Sequence, residues 1–166
     1  MVSGDRGHLF SLAKGESNQE LRSEAVMQLG VNGARAELAE LYATEPTIEV
    51  KKKIIQAMFI GGNAEKLAEI ATTEKNLELR ITAIRNMGLL GGSRTGPQLV
   101  QIYQSDARPD VRAAVINSLF IQNNAKGLVD LARQEKDREL KHDIVSKLSL
   151  MHNKDATDYL MEFLRQ

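Results

Sequence analysis

Cysteine and tryptophan are absent from this chain of 166 residues, and proline occurs only three times. Without cysteine there is no disulfide framework, no thiolate nucleophile and no sulfur ligand for zinc, and a chain of this length can rest on one continuous apolar core instead. Covalent catalysis is left to serine, threonine, lysine or a carboxylate, and no serine sits in a context that exposes a nucleophile. Aromatic residues make up 4%, and Lys+Arg and Asp+Glu are both 22, so the formal net charge is zero. A protein that follows a phosphate backbone carries a basic excess, and one that extrudes a base holds it with aromatic side chains, so no nucleic-acid partner is expected. Apolar runs such as residues 58–60 and 87–90 are far too short to cross a bilayer, and no membrane partner is expected. The first residues lack the apolar core of a secretory signal, so a soluble protein with the cytoplasm as default compartment is expected.

Histidine is also sparse, at positions 8, 142 and 152. Glu139 and His142 form a lone Glu-x-x-His, whereas a di-iron site needs a second such pair and further carboxylates, so no metal or other cofactor is expected. The glycine-rich residues 88–96 lack the Gly-Lys-(Ser/Thr) ending of a phosphate loop and are expected to end a helix in an extended turn.

What is present is repetition. One set of apolar landmarks, Leu12, Leu41, Ile70, Ile102, Leu131 and Leu160, steps by 29, 29, 32, 29 and 29 residues; a second set, Leu21, Val50, Leu79, Val111 and Leu140, follows it nine residues later. Fixed spacing on this scale marks a repeat architecture. After each member of the second set the apolar pattern continues at +4, +5 and +8, the wide stripe of a helix packed between neighbours. These second, or B, helices are expected at about 18–30, 47–60, 76–90, 108–121 and 137–151. Shorter A helices surround the first set. The B helices end in residues that tolerate a left-handed backbone, as at Asn32-Gly33, Gly61-Gly62 and Asn123-Asn124, and Pro46, Pro97 and Pro109 are expected at or just before helix starts. About three extra residues sit around 91–96, while the turns from A to B keep one length.

The stretch Asp110-Val111-Arg112-Ala113-Ala114-Val115 is the clearest copy of the opening of the B helix, with partial copies at Glu20-Leu21-Arg22, Glu49-Val50-Lys51, Glu78-Leu79-Arg80 and Glu139-Leu140-Lys141. A helix pair of about thirty residues with this Asp-x-x-(Val/Leu)-Arg-x-x-Ala-like opening resembles the HEAT-like repeat family, in the short subtype of phycobilisome lyases and many bacterial scaffolds. The resemblance runs from about Leu9 to Leu164. It implies an all-α, right-handed α-solenoid (α-α superhelix) of five helix pairs, at about 9–33, 34–62, 63–94, 95–124 and 125–153, plus a terminal helix at 156–165. Residues 1–8 are expected to be a tail of partly foreign origin, and the whole to be a segment of a longer polypeptide. The family usually has glycine near the end of its B helix; here Phe59 and Phe120 replace it.

Two groups of candidate residues follow. Arg22, Lys51, Arg80, Arg112 and Lys141 recur at +1, where the stem packs and the head meets an acidic group of a neighbouring turn or repeat, so a structural inter-repeat ladder is expected. The +2, +6 and +9 positions lie away from the core and would line the concave face of a HEAT-like stack. There Met27, Phe59, Ile81 and Phe120 stand among Lys52, Gln56, Arg85, Asn117, His142 and Ser146, an apolar and polar mixture suited to a protein or peptide partner. The expected function is a non-catalytic protein- or peptide-binding scaffold. A spacer or regulatory segment within a larger protein is the first alternative, and a HEAT-like enzyme, a lyase or a nucleic-acid-modifying one, the second.

Overall fold

The computed structural model describes residues 3–166. Among the described residues there is no strand, and eleven α-helices follow one another: α1 (Ser3–Gly15), α2 (Gln19–Val31), α3 (Arg35–Thr44), α4 (Ile48–Ile60), α5 (Ala64–Thr73), α6 (Leu77–Leu89), α7 (Gly92–Ser105), α8 (Pro109–Ile121), α9 (Ala125–Gln134), α10 (Arg138–Ser149) and α11 (Lys154–Leu164). The odd-numbered helices carry the first landmarks and the even-numbered ones the second. Of the tail expected at 1–8, residues 1 and 2 lie outside the described residues, and the others form the first turns of α1.

The chain divides into two compact units, Met1–Asn86 and Met87–Gln166. In the first, α1 packs on α2 and α3, α2 on α3 and α4, and α4 on α3 and α5. In the second, α7 packs on α8 and α9, α8 on α9 and α10, α10 on α9 and α11, and α9 on α11. Within the units α1, α3, α7 and α9 thus each pack on the B helix that follows, A helices meet A helices and B helices meet B helices: a stack of helix pairs, which is the α-solenoid arrangement. The +4 and +8 rows, Ala25 and Leu29, Ile54 and Met58, Ala83 and Met87, Val115 and Leu119, Ile144 and Leu148, are buried in every repeat. Each of the larger side chains contributes roughly 1.5–3 kcal/mol by leaving water. Leu21 is the landmark left exposed, at 55%, and among the described residues α4 is the one B helix that packs on α2.

Helix ends follow from local chemistry. Asn18, Asn63, Asn124, Asp137 and Asn153 each accept a hydrogen bond from a free first-turn N–H. Gly33, Gly62, Gly91 and Asn123 take positive φ after the B helices and let the chain reverse. The extra residues near 91–96 do not form an extended turn: they begin α7, which has 14 residues where α3, α5 and α9 have 10. Pro97 therefore sits inside a helix instead of at its start. Its missing N–H leaves one carbonyl of the first turns unpaired on an exposed flank, where water can serve it. The added turn is held by the buried Thr95, whose hydroxyl donates to the Met87 carbonyl at 2.8 Å and accepts from Gln122 Nε2 at 2.6 Å.

Candidate binding face

Each of the five A helices that lead into a B helix is followed by an acidic residue, and each of these builds a corner. Oε1 of Glu16, Glu45 and Glu74 accepts from the N–H of Asn18, Thr47 and Asn76 at 2.9 Å in each case; Oδ1 of Asp106 does the same for Arg108 at 2.9 Å and Oε1 of Glu135 for Asp137 at 2.8 Å. The carboxylate occupies the N–H of the residue that opens the next B helix. This explains why the A-to-B turns keep one length, since an inserted residue would pull the N–H away from its acceptor. These five acids follow the first landmarks by four residues throughout. That regularity is visible in the chain but carries no apolar signal, and the apolar rows do not reveal it.

Of the +1 cations, Arg22 and Arg112 close on these corners. Arg22 donates to the Glu16 carbonyl at 2.9 Å and lies 3.7 Å from Glu45 of the next repeat. Arg112 donates through Nε to the Asp106 carbonyl at 2.8 Å, lies 3.4 Å from Glu135, and its guanidinium stands 5.0 Å from the centre of the Tyr103 ring. Lys51 is 4.8 Å from the centre of the Tyr42 ring, and Lys141 is 5.9 Å from that of Phe163. Arg80 is half-buried at the same position of α6.

Tyr42 and Tyr103 complete two of these rungs. The Tyr42 hydroxyl donates to Glu74 Oε2 at 2.5 Å, and that of Tyr103 donates to Glu135 Oε2. Burial, then the adjacent carboxylate, pushes both tyrosines well above their ordinary value. For Glu74 and Glu135 burial is the largest single influence and acts upward. It is outweighed by the tyrosine hydroxyl, the corner N–H groups and the neighbouring Lys51 or Arg112, and both acids are held below the usual range.

The B-helix face turned away from these rungs holds the candidate binding residues. Gln56, Arg85, Asn117 and His142 are exposed, and Met27, Lys52, Ile81 and Ser146 are half-buried. Lys52 bridges Glu49, at 3.0 Å, and Glu78. With Leu77, Ile81, Thr82 and Arg85 it lines an open hollow of about 550 Å³ within the first unit. A second hollow in that unit, about 380 Å³, sets Met27 among Glu20, Glu24, Glu49 and Lys53.

The +9 row has a different place. Gly30 and Gly88 are buried at helix contacts so close that a Cβ would lie 2.7 Å from the Ala57 carbonyl in one case and 2.8 Å from the Ser118 side chain in the other. Phe59 and Phe120 are half-buried, and the Phe120 ring is covered by Lys147 at 5.6 Å, itself 3.1 Å from Asp143. The next residue on every B helix is the exposed one: Val31, Ile60, Leu89, Ile121 and Leu150, at +10, are between 42% and 65% exposed. Reading the sequence for core rows alone passes over this row, because an aliphatic residue one place beyond the core stripe looks like more core.

No group of three or more His, Asp or Glu residues that could hold a metal ion occurs among the described residues, and no helix among them is long and apolar enough to cross a membrane. The carboxylates with shifted protonation, Glu16, Glu74 and Glu135, serve corners and rungs. The chain matches no family model, and no curated protein matches it.

Proposed function

We propose that this chain is a non-catalytic scaffold of HEAT-like repeats that binds protein or peptide segments on the exposed face of its B helices. One observation carries the reading: the last residue of each B helix, or in α10 the residue that caps it, is a large aliphatic side chain left in water, Val31, Ile60, Leu89, Ile121 and Leu150. Scattered exposed aliphatics need no explanation, but the same exposure in each repeat does. Beside this row Gln56, Arg85 and Asn117 have no hydrogen-bond or ion-pair partner among the described residues and supply polar specificity. Apolar anchors ringed by free polar groups are the composition of a protein-binding patch.

The test is selection of peptides from a displayed random library on the full chain. Binders are expected whose affinity falls about tenfold or more, the loss of one anchoring contact, with Gln56→Ala/Arg85→Ala or with Asn117→Ala/Ile121→Gln. A selection that returns only peptides indifferent to all four changes overturns the scaffold reading in favour of a spacer. Far-UV circular dichroism of the variants checks that these exposed substitutions leave the fold intact.

A further inference from the structure

We infer that the B-helix face of the second unit docks a basic amphipathic α-helix, an inference that rests on the scaffold reading and narrows it to one class of partner. The face is built in tiers along α8 and α10. At the start of these helices stand Asp110 and Glu139, both exposed and without an ion-pair partner among the described residues. Eleven residues further on stand Ile121 and Leu150, with Leu89 in the corresponding place at the end of α6. Between the tiers lie Ala113, Asn117, His142 and Ser146, none of them formally charged at neutral pH. An acidic edge and an aliphatic edge thus run parallel, about 16 Å apart by the rise of the helix. The first unit differs: there Glu49 and Glu78 are already bridged by Lys52, and Lys53 and Arg85 add positive charge to its face.

The complement of this face is a segment with cationic residues on one edge and apolar ones on the other. Backbone chemistry then decides its conformation. The aliphatic tier offers no hydrogen-bonding group, and the floor offers the side chains of Asn117, His142 and Ser146, fewer than the backbone groups an extended segment would bring. An extended segment would bring an N–H and a C=O with each residue, and each one buried unpaired costs about 1–3 kcal/mol. A helix satisfies its own backbone along its length, and its diameter of about 10–12 Å fits between the two edges. Neighbouring packed helices lie about 8–10 Å apart, close to the roughly 10.5 Å that seven residues of a helix span, so a docked helix presents one apolar residue to Ile121 and the next to Leu150.

The experiment uses the full chain and three labelled peptides of about 16 residues, with leucine at heptad spacing and lysine, glutamine or glutamate along one edge. Fluorescence anisotropy at low salt should rank them lysine, glutamine, glutamate, with about tenfold or more between the extremes. Ile121→Gln/Leu150→Gln should weaken the lysine peptide at least about tenfold, Ile48→Gln, at an exposed aliphatic outside the row, should leave it unchanged, and Asp110→Asn/Glu139→Gln should collapse the difference between the lysine and glutamate peptides. Bound lysine peptide should be helical by circular dichroism difference. A glutamate peptide that binds as well as the lysine peptide, equal loss with Ile48→Gln, or a bound peptide that is not helical overturns the inference. If library-selected peptides bind this face while the lysine peptide does not, the helical partner falls and the scaffold stands; if neither binds, both fall.

Discussion

A tyrosine hydroxyl buried against a carboxylate fixes the protonation of both groups, and at Tyr42–Glu74 and Tyr103–Glu135 it does so between successive repeats. The aromatic ring also carries the cation of its own repeat, so one cluster joins an A helix, a B helix and the next corner. A hydrogen bond to a charged acceptor contributes about 1.5–3 kcal/mol, and Tyr103→Phe should lower stability by that amount in chemical denaturation, as should Tyr42→Phe. The pH dependence follows from the two shifts. Glu74 and Glu135 titrate lower in the folded chain than the free value of 4.5, so their contribution is complete above that value and is lost as pH falls through the lower folded one. The tyrosines titrate higher than the free value of 10.0, so their contribution is complete below it and declines at higher pH, where unfolded tyrosines ionise and folded ones do not. Melting temperature should fall on both sides of a neutral plateau. The gap between the native chain and Glu135→Gln should narrow as acid protonates the glutamate, and a gap that widens in acid would contradict this assignment.

At the scale of the element, two kinds of B-helix contact occur. Gly30 lies against Ala57 and Gly88 against Ser118 with no room for a Cβ, whereas Phe120 at the same position carries a ring under Lys147. The A helices share this alternation: the residue after the landmark is Ala13, Tyr42, Ala71, Tyr103 and Ala132. Tyr42 and Tyr103, Phe59 and Phe120, and Glu74 and Glu135 are each 61 residues apart, so the repeating unit is in effect a pair of repeats. Phe59 and Phe120 thus take the place of the contact glycine in the same two repeats that hold the rung tyrosines. Gly30→Ala should destabilise by about 1–3 kcal/mol of overpacking, partly offset by up to about 1 kcal/mol of helix propensity. Gly7→Ala in α1, where a Cβ meets nothing within 4 Å, should stabilise by roughly 0.5–1 kcal/mol. Thermal melts of the two variants should therefore move in opposite directions.

For the molecule as a whole, charge balance is a surface property more than a source of stability. Lys14–Glu40, Arg133–Glu162 and Lys154–Asp158 are exposed at both ends, and such pairs contribute about 0–1 kcal/mol each and are screened by salt. The partly buried Arg22–Glu45 and Arg112–Glu135 pairs are screened less. Melting temperature should accordingly change little between low and moderate salt. Removing the Arg112 head by Arg112→Met should cost more than Arg133→Met, because it leaves the buried Glu135 without its cation.

The sequence by itself determined the order of the helices, the ends of the B helices to within about two residues and the rows that face the core, because a period of 3.6 residues and a step of 29 overdetermine an amphipathic helix pair, but it placed the starts of α1 and α7 about five residues too late. It also contained the corner acids at 16, 45, 74, 106 and 135, legible once their role is known. Tertiary structure decided which flank of each B helix reaches water. Successive residues are 100° apart, so which of +9 and +10 meets a neighbour is open until the direction of the neighbouring helix is set, and packing put Gly30, Gly88 and Phe120 toward neighbours and the aliphatic row toward solvent. It also decided the tyrosine rungs, whose partners lie 32 residues apart and meet only through the stacking of one repeat on the next. Periodicity fixes what a helix offers on each side, and only the neighbour's position fixes which side is left open.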